Sequence, residues 1–258
     1  MLKYSIITPS FNQSKFLEKT IQSILGQNYS ELEFIIIDGG STDGSVEVIK
    51  KYQDKISYWV SEKDRGQSHA FNKGLEHATG EIIGWLNSDD IYYPNAIKES
   101  AKIFENHPDV DVVFSNYNFI DENDIVLRTR KEIPYDYKIY LWSKGCYHAN
   151  CAGFFRKRCF EKFGGLREDL QYAMDYEFYL RLGQNNCKII HANKIWGAYR
   201  FHNQSKSIAG TSEVEKHVNQ IFHASTSGII SNKYVVYTAS RFYKTKRIIK
   251  KFLNGSYF

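Results

Sequence analysis

The first half of the chain alternates short apolar runs with segments whose apolar positions recur every three or four residues. Such alternation predicts strands and helices in turn, hence a mainly parallel sheet with helices on its faces. Residues 4–9 read as a first strand, and residues 15–25 as an amphipathic helix with Phe16, Ile21, Ile24 and Leu25 on its apolar side. Residues 34–38 form an unbroken apolar run closed by Asp38, the pattern of a central strand covered on both faces. Ser41-Thr42-Asp43-Gly44 supplies capping residues for a helix through Val46 and Ile49. A third strand at 56–60, a helix at 67–78 and a fourth strand at 81–86 follow, and Pro94 stands where a first-turn proline would begin the next helix. After an apolar run at 110–119 the alternation weakens, although 175–182 still has a clear helical period. No internal repeat or low-complexity stretch interrupts the chain.

Open α/β sheets bind ligands outside the carboxyl ends of their strands, so the polar residues that close each strand belong together. They are Ser10 and Asn12 after the first strand, Asp38 after the second, Asp64 and Arg65 after the third, and Asp89 and Asp90 after the fourth. Three of these four places carry carboxylates. Asn87-Ser88-Asp89-Asp90 is the sharpest of them, because adjacent carboxylates at a strand end suit Mg²⁺ or Mn²⁺, which prefer oxygen ligands and share them with substrate phosphates. A nucleotide diphosphate leaving group needs such a counter-charge. The competing reading of an isolated Asp-Asp pair is a solvated turn or helix cap.

Five stretches in order, Thr8-Pro9-Ser10-Phe11-Asn12, residues 37–44, Asn72-Lys73-Gly74 with Thr79-Gly80-Glu81, Leu86-Asn87-Ser88-Asp89-Asp90, and residues 174–182, resemble the family 2 glycosyltransferases over about residues 3–207. The resemblance implies a GT-A fold: a Rossmann-like α/β domain with a mixed, mostly parallel central sheet flanked by helices. It would occupy residues 1–210, with a nucleotide-binding half at about 1–90 and an acceptor half at 91–210. By that resemblance Pro9, Ser10 and Phe11 pack against the base, Asp38 binds uracil, and Asp64 and Arg65 lie near the base or the diphosphate. A surface ion pair is the alternative for Asp64 and Arg65, and a structural role the alternative for Asp38.

The chain departs from the family at its metal motif, where the usual Asp-x-Asp stands as Asn87-Ser88-Asp89. An amide at Asn87 can hydrogen-bond a ribose, beside Ser88, but adds no negative charge. Asp89 is therefore the principal candidate ligand for Mn²⁺ or Mg²⁺ and Asp90 a secondary one, with metal-independent action left open. Asp175 corresponds to the family's catalytic aspartate, and an inverting transfer needs a carboxylate that can take the acceptor's proton as the anomeric carbon is attacked. A helix N-terminal carboxylate favoured by the macrodipole is the competing reading of Asp175. Glu177 and His148 are acceptor-side candidates, Glu177 in a supporting role and His148 with a structural alternative. Residues 199–207, with Arg200 and His202, resemble a segment that closes over the diphosphate, which implies that Arg200 neutralises charge and His202 completes the metal shell or touches phosphate; a structural role is the alternative for His202.

These resemblances imply transfer from a nucleotide diphosphate sugar, UDP-sugar first, to a hydroxyl of a glycan or lipid-linked glycan, in bacterial surface polysaccharide synthesis of the O-antigen or capsule kind. Two rivals differ in features that can be checked. A sugar nucleotidyltransferase would carry a Gly-rich basic phosphate loop near the first strand, and residues 10–15 contain no glycine. A non-catalytic nucleotide-sugar-binding protein would keep the fold and lack the base.

Composition changes the picture at one end. The net charge of +5 comes from 34 basic and 29 acidic residues, yet seven basic and no acidic residues lie from Lys233 onward, so the body is slightly acidic. Residues 211–258 are expected to form a helical basic appendage. Drawn as a helix, the tail sets Phe242, Thr245, Ile249, Phe252 and Leu253 on one side and Lys244, Arg247 and Lys251 on the other. It would either lie in the headgroup region of an anionic membrane or pack on the body with its charged face in water. Cys146, Cys151, Cys159 and Cys187 show no metal-site spacing and read as free thiols. With no signal-peptide pattern and no apolar run of about twenty residues, the expected location is cytoplasmic, with peripheral contact at the inner membrane face in the first reading of the tail. No nucleic-acid partner is expected.

Overall fold

The computed structural model describes residues 1–202, 211–226 and 233–255. Strand β1 (Tyr4–Ser10) lies between β2 (Leu32–Asp38) and β4 (Ile82–Trp85), parallel to both, and β3 (Tyr58–Ser61) extends the parallel part beyond β2. Every residue of β1 is buried, which explains its lack of polar alternation. Successive side chains enter opposite cores: Ile7, Ile35 and Ile37 meet Phe71 and Ala70 of α3 (Gln67–His77), while Ile6, Phe34 and Ile36 share a core with Leu17, Ile21 and Ile24 of α1 (Ser14–Leu25). Helix α2 (Ser45–Lys51) packs beside α1.

The sheet continues from β4 through β8 (Gly153–Arg156), β6 (Val112–Ile120) and β9 (Ile189–Arg200) to the short β5 (Ile91–Tyr92), while β7 (Val126–Arg130) forms a hairpin with β6. Strand β8 runs antiparallel to both β4 and β6, and β9 runs parallel to β6. One mixed sheet therefore spans both halves of the chain. The early elements fall where the apolar pattern puts them. Pro94 does not: the chain first pairs β5 with β9, and α4 (Ala96–Asn106) begins two residues later, after Asn95 in the left-handed region at φ 69°.

Helices α5 (Tyr137–Ser143), α6 (Lys157–Phe163) and α7 (Met174–Gln184) cover the second half, and α8 (Thr211–Ser225) and α9 (Lys233–Leu253) follow. Helix α9 docks on α5, with Tyr243 stacked on Trp142 at 6.2 Å between ring centres. Its orientation corrects the expectation of a solvated charged side. Arg247 and Lys251 turn inward to the fully buried carboxylate of Glu132, at 2.9 and 3.0 Å, and Lys250 reaches Asp136 at 2.8 Å. A buried carboxylate is stable only with cations and hydrogen bonds around it, and Arg130 also pairs with Glu132, at 2.7 Å. The apolar residues Ile249 and Leu253 face outward.

Candidate active site

A cavity of about 1530 Å³ opens above the carboxyl ends of the parallel strands. Its floor is made by two loops that bind one another. Asn12, at φ 51°, donates its backbone N–H to Ser41 Oγ (2.7 Å) and accepts from the Thr42 N–H at its side-chain oxygen (3.0 Å), while the Ser14 N–H donates to Asp43 (2.9 Å). Asp38 anchors this pair from below. Its carboxylate accepts from the Gly40 and Ser41 N–H groups at 3.1 and 2.8 Å, and from the hydroxyls of Ser41 and Ser61 at 2.6 and 2.7 Å. Asp38 is fully buried and does not line the cavity, whereas Pro9, Ser10, Phe11, Gly39 and Gly40 do. Gly39 lets the loop lie close against Asp64, since a Cβ there would stand 2.6 Å from Asp64 Oδ2 and force that carboxylate to shift.

The third strand leads to Asp64, which accepts from the Gly66 N–H at 2.7 Å and lines the cavity, and to Arg65, which also lines it but pairs with Glu168 at 2.5 Å. Asp64 and Arg65 thus do not form the ion pair with each other that the sequence left as an alternative. After β4, Asn87 is held by Gln67 (2.5 Å) and Trp85 (3.0 Å) on its oxygen. Asn87, Ser88 and Asp89 all border the cavity.

Asp90 points the other way. It is buried, accepts from the Arg200 N–H at 2.9 Å, and has its pKa raised by burial and then by the charge of Asp89. Arg200 is likewise buried behind the cavity wall: its Nε donates to the Asp89 carbonyl at 2.7 Å, and its Nη1 to the Asp121 carbonyl and Asp124. Neither Asp90 nor Arg200 lines the cavity; together they brace the backbone that presents Asp89. His202 stands 3.0 Å from Asp89 Oδ2 and rests on Phe16; it is buried and does not itself line the cavity. Residues 203–207 of the expected closing segment lie outside the described residues.

Asp175 comes from the opposite wall. Ala173, at φ 59°, turns the chain into α7, and the Asp175 carboxylate accepts from the Tyr176 N–H at 2.7 Å and from Cys146 Sγ at 3.6 Å. It borders the cavity, and burial raises its pKa above the ordinary carboxylate range. His148 also reaches the wall, but it is buried, stacked on Phe114 at 4.4 Å and bonded to Tyr140 at 2.8 Å; burial lowers its pKa and keeps it neutral. Glu177 does not reach the cavity. It holds Arg181 at 2.8 Å, whose other bonds clamp the Gly164 and Gly165 carbonyls after α6.

Asp89 and Asp175, 86 positions apart in the sequence, therefore open into one space together with Phe11 and Asp64. The sequence did not single out Gln67, Lys144, Cys146 or the aromatic wall of Tyr117, Phe119, Tyr199 and Phe201, which line the same cavity. Gln67 directly follows Asp64-Arg65-Gly66 and was reachable from that motif; nothing in the local pattern marks Cys146.

No cluster of three or more His, Cys, Asp or Glu suited to a metal exists among the described residues. Asp89, on the cavity wall with His202 beside it, nevertheless suits Mg²⁺ or Mn²⁺, because such hard ions are commonly held by one or two carboxylates and complete their shell from phosphate and water.

The sequence model described as Glycosyl transferase family 2 matches residues 5–163. An uncharacterised glycosyltransferase of Rickettsia typhi is 31% identical over 69% of this chain and 57% of its own length, so the chain spans little more than half of that relative. Among solved structures, S. aureus TarS 1–349 in complex with UDP-GlcNAc is similar with a TM-score of 0.70 at 18% identity, over 97% of this chain and 73% of its own. The mannosyltransferase PcManGT of Pyrobaculum calidifontis, in complex with GDP-Man and Mn²⁺, gives 0.61 at 17% identity over 98% and 85%. These likenesses identify the architecture as a GT-A type fold.

Proposed function

The chain belongs to glycosyl transferase family 2, and from that premise we propose that it moves a hexose-type sugar from a nucleoside diphosphate donor, UDP-sugar first, to a hydroxyl of a glycan or lipid-linked glycan with inversion. The observation that carries the proposal is the shared cavity: Asp89 at the end of β4 and Asp175 at the start of α7 face it from different elements. The domain division proposed is a nucleotide half at 1–90, an acceptor half at 91–210 and a basic tail at 211–258.

In this reading Phe11, more than half exposed in the cavity, offers its ring to the base, and the loop anchored by Asp38 supplies backbone groups beside it. Asp38 acts through that loop unless donor binding frees one of its four partners. Asp64, Arg65, Asn87 and Ser88 border the ribose and diphosphate region. Asp89 and His202 would hold Mn²⁺ or Mg²⁺, which neutralises developing charge on a departing diphosphate. Asp90 and Arg200 position Asp89 from behind. Asp175 takes the acceptor's proton; its desolvated carboxylate is a stronger base than one in water. The Cys146 thiol and Tyr176 N–H fix its orientation. A lipid-linked acceptor in O-antigen or capsule synthesis would draw the enzyme to the inner face of the cytoplasmic membrane.

Thermal unfolding with UDP and UDP-sugars, with and without Mn²⁺, tests donor binding. At a ligand concentration of 100 Kd, mass action stabilises the fold by about 2.7 kcal/mol. Stabilisation by UDP that grows with Mn²⁺ and shrinks in Asp89→Ala supports the reading; indifference to every nucleotide tried rejects it.

A further inference from the structure

Helix α9 docks through Val236 and Tyr243 and through most of its charges. Its docked side carries the charges, with Arg247 and Lys251 on Glu132 and with Lys246 and Lys250 on Asp136 at 3.7 and 2.8 Å. Its outer side carries large apolar groups: Tyr237, Phe242, Ile248, Ile249 and Leu253 are 57, 63, 55, 53 and 76% exposed. At 3.6 residues per turn these positions share one broad arc. Arg241, whose guanidinium donates to Tyr237 at 3.0 Å, lies within that arc, and Lys244 and Lys246 flank its two edges. Helix α9 contains no acidic residue.

We infer that this outer face of α9 is a membrane-contact surface that lies in the headgroup region of an anionic phospholipid bilayer. Large apolar side chains held outward by ion pairs on the opposite side need an apolar partner. Hydrocarbon meets that need at Phe242, Ile248, Ile249 and Leu253, while anionic headgroups pair with Arg241 and Lys244. A second copy of the chain fits less well, because a two-fold contact through this face sets cations against cations with no carboxylate to pair them. The docking element also matters: α9 packs on α5, whose C-terminal end leads directly into Lys144, Cys146 and His148 of the cavity wall. The surface extends the proposal of a membrane-proximal enzyme, but vesicle binding can be measured independently of transfer.

The full chain is sedimented with vesicles of phosphatidylglycerol and phosphatidylcholine, or of phosphatidylcholine alone. Wild type is expected to prefer the anionic vesicles. Phe242→Ser/Ile249→Ser should lower vesicle affinity roughly tenfold or more, and Arg241→Ala/Lys244→Ala should do so at low salt only. UDP-dependent thermal stabilisation of the same variants serves as the folding control, since the substituted side chains are exposed. Equal binding of wild type to both vesicle types, or unchanged binding of the serine variant, overturns the inference. So does a dimer, seen by light scattering, that the serine variant dissociates while vesicle binding persists, which would give the face to a second copy.

Discussion

Replacing Asp175 by Asn removes the proposed base while leaving its shape. The amide oxygen can still accept from the Tyr176 N–H, now 2.7 Å from the carboxylate, and the side-chain volume is unchanged. A positioned general base contributes about 10²–10⁴ in rate, or about 3 to 5 kcal/mol of barrier, so kcat should fall by that factor. Donor binding should hardly change, because the hydrogen bonds of Asp175 go to Tyr176 and Cys146 and none reaches the base-side loops.

Stability offers a control. Burial raises the Asp175 pKa, so the unfolded chain gives up this proton more readily than the folded one. That difference favours the fold at low pH and is lost as pH rises through the folded pKa. A neutral amide removes the loss, so Asp175→Asn should melt no lower than wild type at neutral pH. In wild type kcat/KM should climb through a pKa above the ordinary carboxylate range, and the climb should be absent in the variant. The assay is release of nucleotide from a UDP-sugar in the presence of acceptor, alongside calorimetric UDP binding. Turnover within about threefold of wild type would refute the reasoning, as would UDP binding lost together with turnover.

Arg200→Ala should destabilise the protein by about 3 kcal/mol in urea unfolding, because it strips donors from the Asp89 and Asp121 carbonyls and leaves Asp124 without this partner. Gly74→Ala should cost about 1 to 3 kcal/mol despite the helix preference of alanine, since the new Cβ would lie 2.5 Å from Ile7 Cγ2; a more stable variant in the same assay would count against the packing of α3. Acid should weaken the fold in a defined window. His148 and His191 are held neutral by burial, His191 down to about 4, so the unfolded chain binds their protons first and stability should decline as pH falls below about 6.5; His191→Gln should flatten that decline in pH-dependent melting. Glu132→Ala should release α9 from α5 by leaving Arg130, Arg247 and Lys251 facing one another, read as faster hydrogen exchange across 233–253 with little change in the sheet.

The parallel half was legible because its strands are buried on both faces and its helices have a clean apolar period. Residues 34–38 could hardly be anything but a covered strand, and β2 ends at Asp38 as the run suggests. The later sheet was not legible. Strand β9 holds Asn193 and Lys194 in its middle, and its register against β6 shifts on both sides of Asn116, so neither period is kept. The site shows the same division. Carboxylates at strand ends identified the right end of the sheet, and Asp64 and Asp89 do reach the cavity. Which of two adjacent carboxylates faces it depends on a long-range partner: Asp90 turns away because β9 brings the Arg200 N–H against it. The tail's amphipathic pattern was correct, and its orientation was set by Glu132, more than a hundred residues earlier in the chain.

The most direct measurement is a crystal structure with UDP and Mn²⁺ bound. The uracil should lie against Phe11 and the loop at 39–42, with the diphosphate beside Asp89 and His202 and open space between its terminal phosphate and Asp175. A nucleotide seated elsewhere on the molecule, or one whose diphosphate turns away from both carboxylates, would contradict the account.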